Sequence, residues 1–365
     1  MPLSRIKSGQ MNPAVHGGID YSELSAIGIT PGEILDFSTN CNPFGPPPGI
    51  KTAIKNADLE SYPDSTSNEL RTTLSDKLQL SKDNLIIGSG STELIRLIAT
   101  AYLNNKDTVI INSPTYSEYE TACRITGCTI KKIRLSAAND FRTDVQTTIS
   151  QIIKHKANAV FLCNPNNPTG QYLTSNEVEQ VLKADRNCLV ILDEAYIAFT
   201  DKTWSSIDLL NYDNLVIVRS MTKDFAIAGI RIGYAIAGKE IISILNEIKP
   251  PWNVSSMAQK AALYVLNCDK YIQSCYQKIQ NSKNYLIGEL EKMGFLTIPS
   301  QTNFFLVRTG NATDVRQSLL KKGLLIRDCS SFGLPEYIRI APRNLSQCRK
   351  LITALKETGV SPNAG

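Results

Sequence analysis

The segment Ser220-Met-Thr-Lys-Asp-Phe-Ala-Ile-Ala-Gly-Ile-Arg231 sets a lysine just past an apolar run, between hydroxyls, with an arginine eight residues on. An amine so placed can attack a carbonyl covalently, and the arginine can hold an anion. Asp193-Glu-Ala-Tyr196 puts a carboxylate at the mouth of another apolar run, where it is costly unless it meets a positive group. Gly88-Ser-Gly-Ser-Thr-Glu93 offers small residues for a tight turn and, at the start of a helical pattern, backbone amides that attract phosphate. Asn164-Pro-Asn-Asn-Pro-Thr-Gly170, with two Asn-Pro pairs, fixes a loop firmly enough to present a side chain. Each segment alone reads as an ordinary turn or surface charge. Together, in this order and each after an apolar run, they point to one ligand site.

Composition removes several other chemistries. There are only two histidines, His16 and His155, so a zinc centre or a Ser-His-Asp triad would have almost nothing to be built from. The nine cysteines are scattered without a Cys-x-x-Cys pair and read as thiols in a reducing compartment. A net charge of +5, from 39 Lys+Arg against 34 Asp+Glu and without a basic block, gives no support to nucleic-acid binding. No apolar run approaches the ~20 residues that span a bilayer, and the first ten residues lead into no apolar signal core, so a cytoplasmic enzyme is expected.

The elements that must position these residues alternate. Short, two-sidedly apolar runs at Leu85–Ile87, Thr108–Ile111, Ala159–Cys163, Leu189–Leu192 and Leu215–Val218 read as buried strands of a mostly parallel sheet. Helical patterns fall between them at Thr92–Leu103, Tyr116–Thr126, Asp144–Lys156 and Ser175–Ala184, after an earlier one near Ser65–Gln79. The fold class is therefore α/β, with ligands expected at the carboxyl ends of the strands. Beyond Pro250-Pro251 the style changes to a smaller α+β unit, with one long bent helix expected over Ser255–Met293 and short strands at Thr302–Val307, Leu324–Ile326 and Tyr337–Ile340. The organisation expected is an irregular arm (1–45) contributing to the small domain and the active site, a large ligand-binding domain (46–250) and a C-terminal small domain (251–365).

Asn-Pro-Thr-Gly, Asp-x-Ala-Tyr and Ser-x-x-Lys followed by Arg, taken as a set, resemble fold type I pyridoxal-phosphate enzymes. The resemblance runs from His16 to Arg343 and is nearest to the branch of histidinol-phosphate aminotransferases and threonine-phosphate decarboxylases. It implies pyridoxal 5'-phosphate as cofactor, carried covalently on Lys223, with Asp193 paired to the pyridinium nitrogen as electron sink. It further implies Tyr196 and Asn167 on the ring's 3-oxygen and Tyr116 stacked on its face. The cofactor phosphate would lie on Gly90, Ser91 and Thr92, with Ser220 and Arg231 as further partners. Tyr62, in Tyr62-Pro-Asp64, matches a residue that reaches the phosphate from the other subunit, which implies a homodimer with a shared site. Substrate would meet Asn40, Asn167, Arg327 and Arg339.

Within the branch, His16-Gly-Gly18 resembles the N-terminal motif whose histidine helps threonine-phosphate decarboxylases bind the substrate phosphate. Gly323-Leu-Leu-Ile-Arg-Asp-Cys-Ser-Ser-Phe332 and the Thr before Lys223 resemble the same family. That implies decarboxylation of O-phospho-L-threonine or O-phosphoserine for the cobalamin nucleotide loop. Gly90-Ser-Thr92 is closer to the aminotransferase pattern, so histidinol-phosphate aminotransferase is the alternative. Retention of Lys223, Asp193 and Arg231 together speaks against a catalytically dead module.

Overall fold

The computed structural model describes residues 16–201 and 203–360; the first fifteen residues of the expected arm lie outside them. Among the described residues the strands are β1 (Leu35–Asp36), β2 (Leu85–Gly88), β3 (Thr108–Ser113), β4 (Thr129–Arg134), β5 (Ala159–Cys163), β6 (Leu189–Asp193), β7 (Leu215–Ser220), β8 (Gly233–Ala237), β9 (Leu296–Thr297), β10 (Phe305–Arg308), β11 (Leu324–Leu325), β12 (Arg327–Asp328) and β13 (Tyr337–Ile340). Seven of them form the central sheet in the order β2-β8-β7-β6-β5-β3-β4. Strands β3 to β7 run parallel, and β8 runs antiparallel between β2 and β7.

The two-sided apolar runs have a direct structural consequence. Ile87, Ile110, Val160, Leu162, Val190, Leu192 and Ile217 enter the core on one face of the sheet. Their neighbours Ile86, Val109, Ile111, Phe161, Ile191, Val216 and Val218 enter the core on the other. Side chains alternate along a strand, so a run apolar at every position is stable only with helices on both faces. Register then aligns the carboxyl ends: Cys163 pairs with Asp193, and Asp193 with Val218.

The C-terminal unit holds an antiparallel sheet, β12-β13-β10-β9, around Phe37, Leu286, Phe305, Ile338 and Leu351. Strand β1, from the arm, pairs in parallel with β11 in a separate two-stranded sheet. The long C-terminal helix is two helices, Ser256–Val265 and Asp269–Lys292, parted at Leu266–Cys268. The first packs with the large sheet through Ala258, Ala261, Ala262 and Val265. Packing passes to the C-terminal unit within the second helix, where Leu286 and Leu290 join its core, well beyond Pro250-Pro251.

Candidate active site

A cavity of about 270 Å³ opens at the carboxyl ends of β5, β6 and β7, against β12 and β13. Its walls include Lys223, Asp193, Tyr196, Tyr116, Asn167, Ser91, Thr92, Arg231, Arg327, Arg339, Asn40 and His16. The sequence-predicted residues therefore converge with few exceptions. Gly90 lies just outside the walls, against the Arg231 guanidinium. The Ser220 hydroxyl is 2.8 Å from the Thr222 hydroxyl, and Ser220 does not line the cavity. Tyr62 is 78% exposed and stacked on Trp252 at 4.4 Å between ring centroids, away from this chain's own site.

Asp193 ends β6 and is buried, with its carboxylate accepting from the Tyr119 hydroxyl at 2.7 Å and from the Ala195 amide at 3.0 Å. Burial pushes its pKa up to about 6 even against these two donors and the Lys223 charge. A positive group at the carboxylate would reverse that shift. The Lys223 amine donates no hydrogen bond to another described residue, and the Lys223 carbonyl is fixed by the Asn42 amide at 2.8 Å.

The Asn164–Gly170 loop shows why it needs so many asparagines. Asn164 closes the loop on Leu173 through both polar atoms, at 2.6 and 3.2 Å. Asn166 bonds Pro114, Thr115 and Thr169. Those two side chains are scaffold, and Asn167 is left for the cavity, where its Oδ1 accepts from Arg339 Nη1.

The helix Ser91–Tyr102 begins at the cavity with no side chain capping its first amides. Gly90 precedes it at φ +86°, and a Cβ there would lie 2.6 Å from Arg231 Nη2. Uncapped amides, an adjacent guanidinium and space kept by a missing side chain make an anion cradle. Thr92 Oγ1 lies 3.0 Å from the Tyr116 hydroxyl, whose pKa burial raises to about 12.

On the opposite wall Arg327 and Arg339 face each other across the β12–β13 register, both buried. Arg339 Nη2 donates to the Ser38 carbonyl at 2.6 Å, and Arg327 Nη2 to the Ser331 hydroxyl at 2.6 Å. Burial, then the Arg339 charge, lowers Arg327 to about 10. Two guanidiniums this close are stable together when an anion joins them. Asn40 is buried, and among the described residues neither polar atom of its side-chain amide meets a hydrogen-bond partner of good geometry. His16 stands at the rim with Nε2 3.3 Å from Glu118 Oε1.

Sequence reasoning missed Ser38, Thr39, Ser117 and Cys163, which line the cavity, and Tyr119 and Glu118 behind it. None has a spacing that marks it, because tertiary folding alone brings each to the site.

The chain matches the aminotransferase class I and II family over residues 32–355. A histidinol-phosphate aminotransferase of Methanocaldococcus jannaschii is 31% identical over 95% of each chain. A protein of Caldanaerobacter subterraneus subsp. tengcongensis, provisionally named a threonine-phosphate decarboxylase, is 34% identical over 98% of each chain. The solved structure of the histidinol-phosphate aminotransferase from Sinorhizobium meliloti, in complex with pyridoxal-5'-phosphate, superposes with a TM-score of 0.88 at 24% identity, covering 98% of each chain. The protein belongs to the class I and II aminotransferase family, whose cofactor is pyridoxal phosphate.

The residues present fit that cofactor. An amine, a buried carboxylate short of a cation, an orphaned amide and an uncapped anion cradle surround one cavity. None of the described helices is long and apolar enough to cross a membrane. Among the described residues no group of three or more His, Cys, Asp or Glu could hold a metal ion.

Gly90→Ala tests the cradle. The added Cβ meets Arg231 Nη2, and the positive φ strains any L side chain by about 1 kcal/mol or more. Titration of cofactor into the stripped protein is expected to show affinity reduced about 10- to 100-fold; unchanged affinity would place the phosphate elsewhere.

Proposed function

We propose that the protein decarboxylates O-phospho-L-threonine to 1-aminopropan-2-yl phosphate, with O-phosphoserine as the shorter substrate of the same clamp. The observation that carries this reading is the pairing of Arg327 with Arg339 across β12 and β13, in one cavity with His16 and Lys223. Two guanidinium forks and an imidazole suit a small molecule bearing both a carboxylate and a phosphate.

Pyridoxal phosphate held in this cavity would supply an electron sink for a bond broken at the substrate α-carbon. The protein's task is to choose that bond. Arg339, buried and braced by Ser38 and Asn167, holds an anion in a fixed place. Arg327 and His16 grip the phosphate, so that binding energy from a non-reacting group orients the substrate carboxylate for loss. Asp193 would hold the positive charge of the ring nitrogen, and Asn167 and Tyr196 would hold the ring's 3-oxygen. Lys223 returns a proton to the α-carbon after carbon dioxide leaves. Exposed Tyr62, stacked on Trp252, completes the phosphate site of a second copy in a homodimer.

The purified enzyme is expected to release carbon dioxide from O-phosphothreonine with no 2-oxo acid present. Arg327→Ala should lower kcat/KM for phosphorylated substrates by about 10²-fold or more, as expected for loss of a charge-assisted bidentate contact. The second reading is transamination of histidinol phosphate, favoured by the relative from M. jannaschii. Fast amino transfer from histidinol phosphate to 2-oxoglutarate, with no carbon dioxide from O-phosphothreonine, would establish it instead.

A further inference from the structure

The His16-Gly-Gly18 motif has a structural meaning that leads to a residue outside the cavity. A Cβ on Gly17 would stand 2.4 Å from the Ser38 carbonyl oxygen and 3.2 Å from Arg339 Nη2, so the chain can cross here only as glycine. Gly18 takes φ +116°, and its amide donates to the Ser38 hydroxyl at 2.8 Å. The two glycines lay the segment flat over the substrate wall. His16, 49% exposed, is thereby brought to the rim, its ring 5.8 Å from that of Tyr116 and its Nε2 3.3 Å from Glu118 Oε1.

Glu118 sits in the first turn of the helix Glu118–Thr126 and is 5% exposed. Its other oxygen accepts from Arg96 Nη2 at 2.7 Å. A buried carboxylate paired with one guanidinium is already neutralised, so a purely structural ion pair would not need the imidazole as well. The next residue on the helix, Tyr119, donates to Asp193. One helical turn thus supports the Asp193 carboxylate and the histidine at the cavity rim.

We propose that Glu118 is the positioning residue of the substrate-anion site. It holds His16 through Nε2, so that the other ring nitrogen is turned toward the substrate phosphate. Arg96 keeps the Glu118 carboxylate aimed. The inference rests on His16, Arg327 and Arg339 forming the phosphate clamp and is independent of which bond at the α-carbon breaks.

The test uses the holoenzyme and measures binding from the cofactor absorption change, for O-phospho-L-threonine against L-threonine. Glu118→Gln is expected to weaken O-phosphothreonine about tenfold, the usual worth of a charge-assisted hydrogen bond, and to leave L-threonine and cofactor affinity unchanged. His16→Ala should give the same selective loss, and the double variant should be no worse than His16→Ala alone. A merely structural Glu118 would loosen the turn that carries Tyr119. It would then weaken the cofactor and both amino acids alike, and that result overturns the proposal, as does an additive double variant. If Glu118→Gln does not fold, Glu118→Asp serves, since it keeps a charge for Arg96 but falls short of His16. It should show the same selective loss. If histidinol phosphate proves to be the substrate, the same comparison is made with histidinol phosphate against histidinol, so a wrong substrate assignment and a wrong role for Glu118 give different results.

Discussion

Lys223→Ala is expected to lower turnover by on the order of 10⁵-fold while the fold and the cofactor site persist. The lysine amine makes no hydrogen bond to another described residue, so its removal breaks no network. The backbone around it is held independently, by Asn42 on the carbonyls of residues 223 and 224. The phosphate cradle at Gly90 and Arg231 lies on other elements and should still retain the cofactor, without a covalent link. What disappears is the lysine amine lining the cavity among the described residues, the group proposed to tether the cofactor and to return a proton to the substrate α-carbon. Carbon dioxide release by the variant, with circular dichroism as the check on folding, measures this. Turnover within tenfold of the unmodified enzyme would remove Lys223 from the mechanism.

The parts legible in the sequence were those in which a local pattern and a tertiary role coincide. The first four positions of strands β5, β6 and β7 are apolar and buried because both faces are covered, and that requirement is written in consecutive residues. Strand β4, Thr-Ile-Lys-Lys-Ile-Arg, escaped notice because it is the sheet's edge, where exposed lysines protect unpaired backbone. Strand β8, Gly-Tyr-Ala-Ile-Ala, is built of small residues; a Cβ at its Gly233 would come within 2.7 Å of the Arg219 carbonyl oxygen. The break at Leu266–Cys268 carries neither proline nor glycine, so a continuous helix was the natural reading.

The site divides in the same way. Lys223 and Asn167 sit in loops whose turn residues mark them, and Asp193 closes strand β6, where an apolar run ends in a carboxylate. Glu118 and Tyr119 look like any first turn of a helix, and only the packing of Glu118–Thr126 against the neighbouring elements turns them toward His16 and Asp193. Asn164 and Asn166 carried the same turn signal as Asn167, yet they serve the loop itself.

Asp193→Asn is expected to separate catalysis from stability. The amide can keep the Tyr119 hydrogen bond but brings no charge to the pyridinium, so turnover should fall about 10²- to 10³-fold, in line with the loss of one preorganised electrostatic contact. The cofactor-free proteins should show the opposite order. Burial raises the Asp193 pKa from the ordinary carboxylate value to about 6, so the folded state binds a proton more tightly than the unfolded chain does. Stability contributed by that proton is fully present below pH ~4 and is lost as pH rises through about 6, after which the ionised carboxylate costs about 3 kcal/mol. Asparagine removes that cost. Above pH 6 the cofactor-free variant should therefore melt at a higher temperature than the cofactor-free parent, and at pH 4 the two should nearly coincide. Adding cofactor should stabilise the parent more than the variant, because only the parent offers a carboxylate for the pyridinium charge to relieve. Parallel melting curves at all pH values, with or without cofactor, would mean that Asp193 does not face the ring nitrogen.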